Sequence, residues 1–546
     1  MKNLLLAFFL LVGLRSRAQS ADWTFVLPVN NLNGVMAVAT GPDGSTYITG
    51  RFTGSLQLGS TLLTSASPGM CLYIAKCRPN GQVVRVTKLE GAANVLPRSI
   101  VVDNAGNSYV TGSFLGTLTY NQGRQHTSSL TLNAPGSDIF LVKNGSDGRV
   151  RWVSQAFGSE DGTLGNCFGT GVAVDGAGNS YITGGANGAN IRFGPLAFGP
   201  RRSQGFAASY NRHGQVRWAK VCSALPGGFA TSGGGGIAVD KTGTNCYVSG
   251  NSIRGFILDG ITLLSPLGND YLARFEGGTG QLLWALSTPG DGGGQAIAID
   301  KLGDVCIGGN FSGTATVGSF TLTSAGDADG YVARYDPNGD VDWATALGRA
   351  AYDVVNAVAV NQRSRKVFAT GIMNFTPQGT NQSFLACFSA DGQVLQTELV
   401  SGPGTSSSGK LAIDAQDNIY TTGVFTGRCG FGSLTQNVGA THSYFGRYGS
   451  RGGSPKDDDK QLGASEISLF PNPVQRQFTL RLPSPEQAGR ATLYNQLGRA
   501  VAEQTVQPAA TAIDVVFDTT PLPDGLYTLR LQTDQKTTTR LVTVQH

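Results

Sequence analysis

The chain has 546 residues, too many for one hydrophobic core, so it must hold several domains or a repeat. Only 14% of residues are charged, 77 are glycine and 40% are hydrophobic, which excludes a disordered chain or a helix bundle and favours short strands joined by tight turns. The net charge of +5 is spread out with no run of Lys and Arg, which excludes the concentrated basic footprint of a nucleic-acid binder.

The chain opens with MKNLLLAFFLLVGLRSRAQS, in which Lys2 precedes an apolar run from Leu4 to Gly13 and small residues come after it. Roughly ten helical residues at about 1.5 Å each cover half of a hydrocarbon core about 30 Å thick, so residues 1–20 are expected to be a secretory signal cut after Ala18 or Ser20. No cysteine stands at the cleavage site to take a lipid, and no later stretch predicts a transmembrane segment. The eight cysteines are scattered without a CxxC pair and are expected as buried apolar fillers rather than a disulfide framework.

Self-similarity organises the next 430 or so residues. The unit is clearest in IVVDNAGNSYVTGSF from Ile100 and VAVDGAGNSYITGG from Val172, with further copies from Met36, Ile237, Ile297, Val358 and Leu411, seven in all. Their strand-ending glycines, Gly50, Gly112, Gly184, Gly250, Gly309, Gly371 and Gly423, recur roughly every 50 to 70 residues. Each unit reads as an apolar strand, a turn of Asp or Asn with Gly, and a second strand ending in Gly. A variable stretch leads to a third strand, as at Asp138, Asp270 and Gly330, and then a fourth. Four antiparallel strands per unit make a propeller blade.

Four of the five tryptophans, Trp152, Trp218, Trp284 and Trp343, share one slot in the fourth strand, where the first and sixth units have Arg85 and Gln396. The seventh unit ends at Tyr448 before this strand. ADWTFVLPV, around Trp23, looks like GDVDWATAL around Trp343, so Ala21 to Val29 are expected to supply the missing outer strand and close a seven-bladed ring, which leaves no terminal repeat exposed. The pattern VxVDxxGNxYxTG with a following GxVxW resembles the bacterial β-propeller repeats called SBBP, relatives of the NHL-type propellers, over residues 21–450. The resemblance implies a fold and no shared activity. Gly41 replaces the Asp in the first unit, and NQRSRK replaces the Gly turn in the sixth.

Residues 451–466, rich in Gly, Ser and charge, predict a flexible linker. Alternating apolar runs from Ile467, Ala491, Leu522 and Lys536 predict a small β-sandwich over residues 467–546. The order Phe470-Pro471-Asn472-Pro473, Leu497-Gly498, Gly525-Leu526-Tyr527 and a basic, Thr-rich last strand resembles the type A C-terminal sorting domain of the type IX secretion system of Bacteroidetes. By that resemblance the sorting signal comprises Pro471, Asn472, Pro473, Gly498, Gly525, Tyr527, Lys536 and Arg540. The translocon and sortase would be its partners, and the propeller would be released or left on the cell surface. The final strand departs from the family in carrying Lys536 and Arg540 where lysines are usual.

No catalytic set is legible. His126, His213, His442 and His546 lack metal-ligand spacing, and no GxSxG, HExxH or phosphate loop occurs. Glu160, Asp161, Asp291 and Asp353 each precede a first strand and could gather on one face as glycosidase-type carboxylates. Asp327 and Asp329 could offer oxygens to calcium, although the rest of a calcium loop is missing. The repeated Asp103, Asp175, Asp240, Asp300 and Asp414 read as turn caps, and Lys143, Arg274 and Arg334 as packing or pairing groups. No cofactor or metal is expected. The reading preferred is a non-enzymatic surface or secreted module that binds a glycan or surface protein; the alternatives are a polysaccharide-active enzyme using loop-face carboxylates and a purely structural envelope component.

Overall fold

The computed structural model describes residues 22–449 and 468–544, except 32, 66–68, 122–128, 159–164, 189, 200, 224, 226–230, 254, 265–268, 291–295, 376–380, 471–473, 475, 483–487, 496–498, 510–512 and 534–536. The expected signal, the linker, and Glu160, Asp161 and Asp291 lie outside the described residues. The described chain is all β and divides into two units, Met1–Arg451 and Gly452–His546.

In the first unit the repeat folds as antiparallel meanders. Four-stranded sheets run through Phe168–Val174, Ser180–Gly188, Arg201–Tyr210 and Val216–Val221, and again from Thr231, from Ala296 and from Tyr352. The first two units of the repeat instead share one nine-stranded sheet. Strand Val83–Val102 pairs over its first half with Met70–Cys77 and over its second half with Ser108–Asn121, so the chain passes straight on where the repeat predicts a connecting loop. The last sheet holds Thr405–Ile413, Ile419–Phe431 and Leu434–Gly449, and its outer strand is Asp22–Val29.

The turn aspartates do what their position predicts. Asp103 Oδ1 accepts the backbone N–H groups of Ala105 and Asn107, both at 2.9 Å, and Oδ2 accepts the Asn107 amide at 2.8 Å. Asp175 and Asp414 repeat the pattern. The tyrosine of the second strand crosses to the next repeat: the Tyr47 hydroxyl donates to Gly106 O at 3.0 Å and that of Tyr247 to Gly303 O at 3.1 Å.

The fourth-strand slot is a second cross-link. Trp152, Trp218, Trp284 and Trp343 donate from Nε1 to Arg212 O, Gly277 O, Pro337 O and Ala390 O of the following repeat at 2.9–3.1 Å. The turn each indole covers contains a glycine at positive φ. At Gly280 (φ 75°) and Gly392 (φ 85°) an added Cβ would lie 2.5 Å from the ring of Trp218 and Trp343, so only glycine fits. Arg85 fills the slot in the first unit and donates to Ser146 O at 2.6 Å. In the strand Asp22–Val29 the slot is held by Phe25, which pairs with Arg447 as Trp343 pairs with Arg334 and lies against Gly81. Trp23 stands before the bulge in its strand and packs instead on Phe431 and Tyr448.

These cross-links border cores that lie between consecutive sheets. Tyr181 and Trp218 of one pack with Ile237, Val248 and Leu282 of the next. The last and first sheets share such a core too, in which Val29, Tyr420 and Phe445 meet Ile48, Leu56 and Ala75. In the second unit a three-stranded sheet (Ser468–Phe470, Gln477–Leu482, Ile513–Asp518) and a four-stranded one (Ala500–Val506, Gly489–Tyr494, Gly525–Thr533, Thr537–Val544) share one core containing Phe478, Leu493, Phe517 and Val542. The Phe478 and Phe517 rings stack at 4.9 Å.

Candidate functional site

The first strands of the successive repeats line a cavity of about 150 Å³. Its wall is mostly Gly, Ala, Val, Ile and Leu, with four polar side chains, Ser99, Thr170, Asn356 and Lys410. Three of these tie neighbouring inner strands together. The Ser99 hydroxyl accepts Val172 N–H at 3.3 Å, Thr170 donates to Gly234 O at 2.7 Å, and the Asn356 amide donates to Ser408 O at 2.9 Å. Lys410 is different. Its ammonium makes no hydrogen bond or ion pair among the described residues, and both burial and the nearby Arg98 guanidinium lower its pKa. Arg98 lies over the Phe168 ring, 5.5 Å from its centroid. No motif in the sequence points to Lys410; the signal that could have found it is an alignment of the seven inner strands, where it is the one charged residue at its position.

Two of the candidate acids, Asp353 and Asp329, have structural settings. Asp353 is fully buried and accepts the backbone N–H of Arg349, within the connection that enters its sheet. Asp329 is 3% exposed and accepts Ala325 N–H at 3.0 Å; at the equivalent position Asp138 accepts Gln155 Nε2 at 2.8 Å and Gly158 N–H at 3.1 Å. Asp353 therefore cannot stand with other acids on an open face, and Asp329 is covered whereas Asp327 is exposed. No group of His, Cys, Asp and Glu among the described residues is arranged to hold a metal.

The basic, histidine and cysteine side chains also have structural settings. Arg334 donates to Ala390 O at 2.7 Å and to Arg365 O at 3.0 Å, Arg274 donates to Pro337 O at 2.5 Å, and Lys143 sits 4.9 Å from the Tyr109 ring centroid. His213 is exposed in a turn, and His442 lies beside Phe425. All eight cysteines are free thiols and seven are buried; burial pushes Cys77 up to about 12 and Cys306 up to about 11, so both stay neutral.

Of the sorting-signal residues, Pro471, Asn472, Pro473, Gly498 and Lys536 lie outside the described residues. Gly525 begins its strand, Tyr527 in the same strand is 6% exposed and donates its hydroxyl to Pro523 O at 2.7 Å, and Arg540 pairs with Leu529 across the last two strands. No helix among the described residues is long and apolar enough to cross a membrane.

Comparison with known proteins agrees with this division. Residues 468–545 match the family described as Secretion system C-terminal sorting domain, and residues 151–192 match the family described as Beta-propeller repeat. The second match runs from the outer strand of one sheet into the inner strands of the next, the junction that the Trp152 hydrogen bond spans. An uncharacterized WD repeat-containing protein of Acanthamoeba polyphaga mimivirus is 24% identical over 439 residues, covering 65% of this chain and 31% of that protein, so the chain spans about a third of that relative's length. Among solved structures, the quinohemoprotein alcohol dehydrogenase of Comamonas testosteroni has a TM-score of 0.38 at 10% identity, covering 82% of this chain and 79% of that one. The Dos1 propeller has a TM-score of 0.38 at 9% identity, covering 79% and 96%. The chain thus joins a β-propeller repeat to a secretion-system C-terminal sorting domain, and that domain marks it as a type IX substrate secreted to the cell surface or extracellular space.

Proposed function

We propose that residues 21–450 form a seven-bladed β-propeller closed by the strand Asp22–Val29, and that this ring is a non-enzymatic binding module at the cell surface. Residues 1–20 are its secretory signal, 451–466 a linker, and 467–546 the part read by the translocon and sortase. The observation that carries the ring is the pairing of Asp22–Val29 with Leu434–Gly449, together with the core that the last and first sheets share. The cavity lined by first strands from every repeat supports it further. A binding role is favoured because a rigid ring presents loops and an axial cavity, while Asp353 and Asp329 are already committed as hydrogen-bond acceptors inside their loops. The test is the thermal stability of the purified chain against a panel of glycans, divalent cations and small anions. A ligand at one hundred times its dissociation constant adds about 2.7 kcal/mol. A reproducible rise with one class supports the module; no rise with any of them contradicts it.

A further inference from the structure

We propose that the axial cavity binds a small oxyanion, a carboxylate or a sulfate- or phosphate-type group, with the Lys410 ammonium as its anchor. The proposal rests on the ring reading and deepens it by naming a ligand class.

Strand register sets Lys410 apart. It pairs with Thr422, the residue before the strand-ending Gly423. The same pairing on the other inner strands selects Ala37, Ser99, Gly171, Gly236, Ala296 and Ala357, all of which line the cavity. The repeat needs only a small residue there, so the fold does not demand a lysine.

Nor does Lys410 serve as a cross-link. The other polar side chains of the wall are spent on bridges between inner strands. Elsewhere, cations of similar burial have partners: Lys76 meets Asp43 at 2.7 Å, Lys220 meets Asp259 at 2.8 Å, Arg365 meets Asp300 at 2.7 Å, and Lys143 lies against the Tyr109 ring. Lys410 has no such partner among the described residues, and the charge that acts on it, Arg98, has the same sign. Removing a cation from water without a counter-charge is costly. A cation without a counter-charge at a cavity walled by apolar and small groups leaves an excess of positive potential that an anion would neutralise. The cavity's volume of about 150 Å³ is several times the roughly 30 Å³ share of one water, room enough for a group of several heavy atoms.

The experiment is isothermal titration of the full chain with sodium sulfate, sodium phosphate and sodium malonate, each against sodium chloride at matched ionic strength. Saturable binding of at least one anion is expected, weakened tenfold or more in Lys410→Gln, largely kept in Lys410→Arg, and unchanged in Lys220→Gln. Preference for malonate identifies a carboxylate ligand, and preference for sulfate or phosphate an ester. A reading independent of altered folding comes from reductive ¹³C-methylation of the lysines: the signal absent from Lys410→Arg should move saturably in the unsubstituted chain as anion is added. No saturable binding of any of the three, or equal binding by Lys410→Gln, overturns the proposal. Failure of the ring reading shows separately, as a chain lacking residues 22–29 that unfolds no more readily than the intact one.

Discussion

Trp343→Ala should be among the most damaging single substitutions in the propeller. The side chain is 6% exposed, stacks on Phe388 with ring centroids 6.1 Å apart, lies beneath the Arg334 guanidinium at 5.7 Å and donates to Ala390 O at 3.0 Å. Ala390 and Phe388 belong to the next repeat, so the loss falls on a junction. Truncating a buried tryptophan costs about 3–5 kcal/mol. Trp343→Phe keeps most of the packing and removes one of the two hydrogen bonds to Ala390 O, the one from Arg334 remaining, and should cost about 0.5–1.5 kcal/mol. Gly392 beneath the ring leaves no side chain to collapse into the space. The assay is urea unfolding followed by far-ultraviolet circular dichroism, reading the midpoint and slope of the first transition. A Trp343→Ala variant within about 1 kcal/mol of the unsubstituted chain would refute the view that this slot joins the sheets.

Arg365 holds φ 59° at a turn position where the first five repeats have glycine and the seventh has Asp417, and its guanidinium pairs with Asp300, whose side chain is fully buried, and with Asp304. Arg365→Gly relieves the backbone but strands Asp300, and Arg365→Ala does only the harm, so stability measured by thermal melting should fall in the order Arg, Gly, Ala, with about 1–2 kcal/mol lost by Gly. Lys410→Met should stabilise the free protein by about 1 kcal/mol at neutral pH, because it removes an unpaired, half-buried charge. Since the folded state lowers the Lys410 pKa below 10.5, the unfolded chain binds more protons between the two values. The unsubstituted chain should therefore gain stability relative to Lys410→Met as pH rises toward 10.5, and lose it as pH falls; a constant difference across that window contradicts the assignment. Removing residues 22–29 should lower the unfolding midpoint and broaden the transition, because the last sheet loses its outer strand.

Much of this structure is legible in the residues because the repeat states local chemistry. An Asp four residues before Asn or Thr caps its own turn wherever it lies, and a Trp at one fixed slot marks a junction in each repeat that carries it, so the roles of Asp103 and Trp218 can be read without coordinates. What resists reading is long-range. The unbroken strand Val83–Val102 looks like two strands and a loop, because the connecting residues carry no apolar period. In the closing strand Phe25 and not the conspicuous Trp23 holds the slot, past the same bulge that precedes Trp343 in its own strand. The variable stretches hide hairpins such as Ile191–Phe193 with Leu196–Phe198, which pairs with the outer strand of the preceding sheet. Burial decides Asp353 and Asp329, and sequence does not show that a loop acid is covered. Lys410 escapes sequence reading for another reason: its neighbours in the cavity come from strands far apart in the chain, and its meaning appears only when all seven inner strands are laid against one another.

The most direct measurement is where the chain goes when residues 468–545 are removed. Expressed in a host with a working type IX system, the intact protein should be accessible to protease or antibody on intact cells or recovered from the medium, while the truncated chain should remain folded in the periplasm. Surface or extracellular delivery of the truncated chain at the level of the intact protein would contradict the sorting assignment.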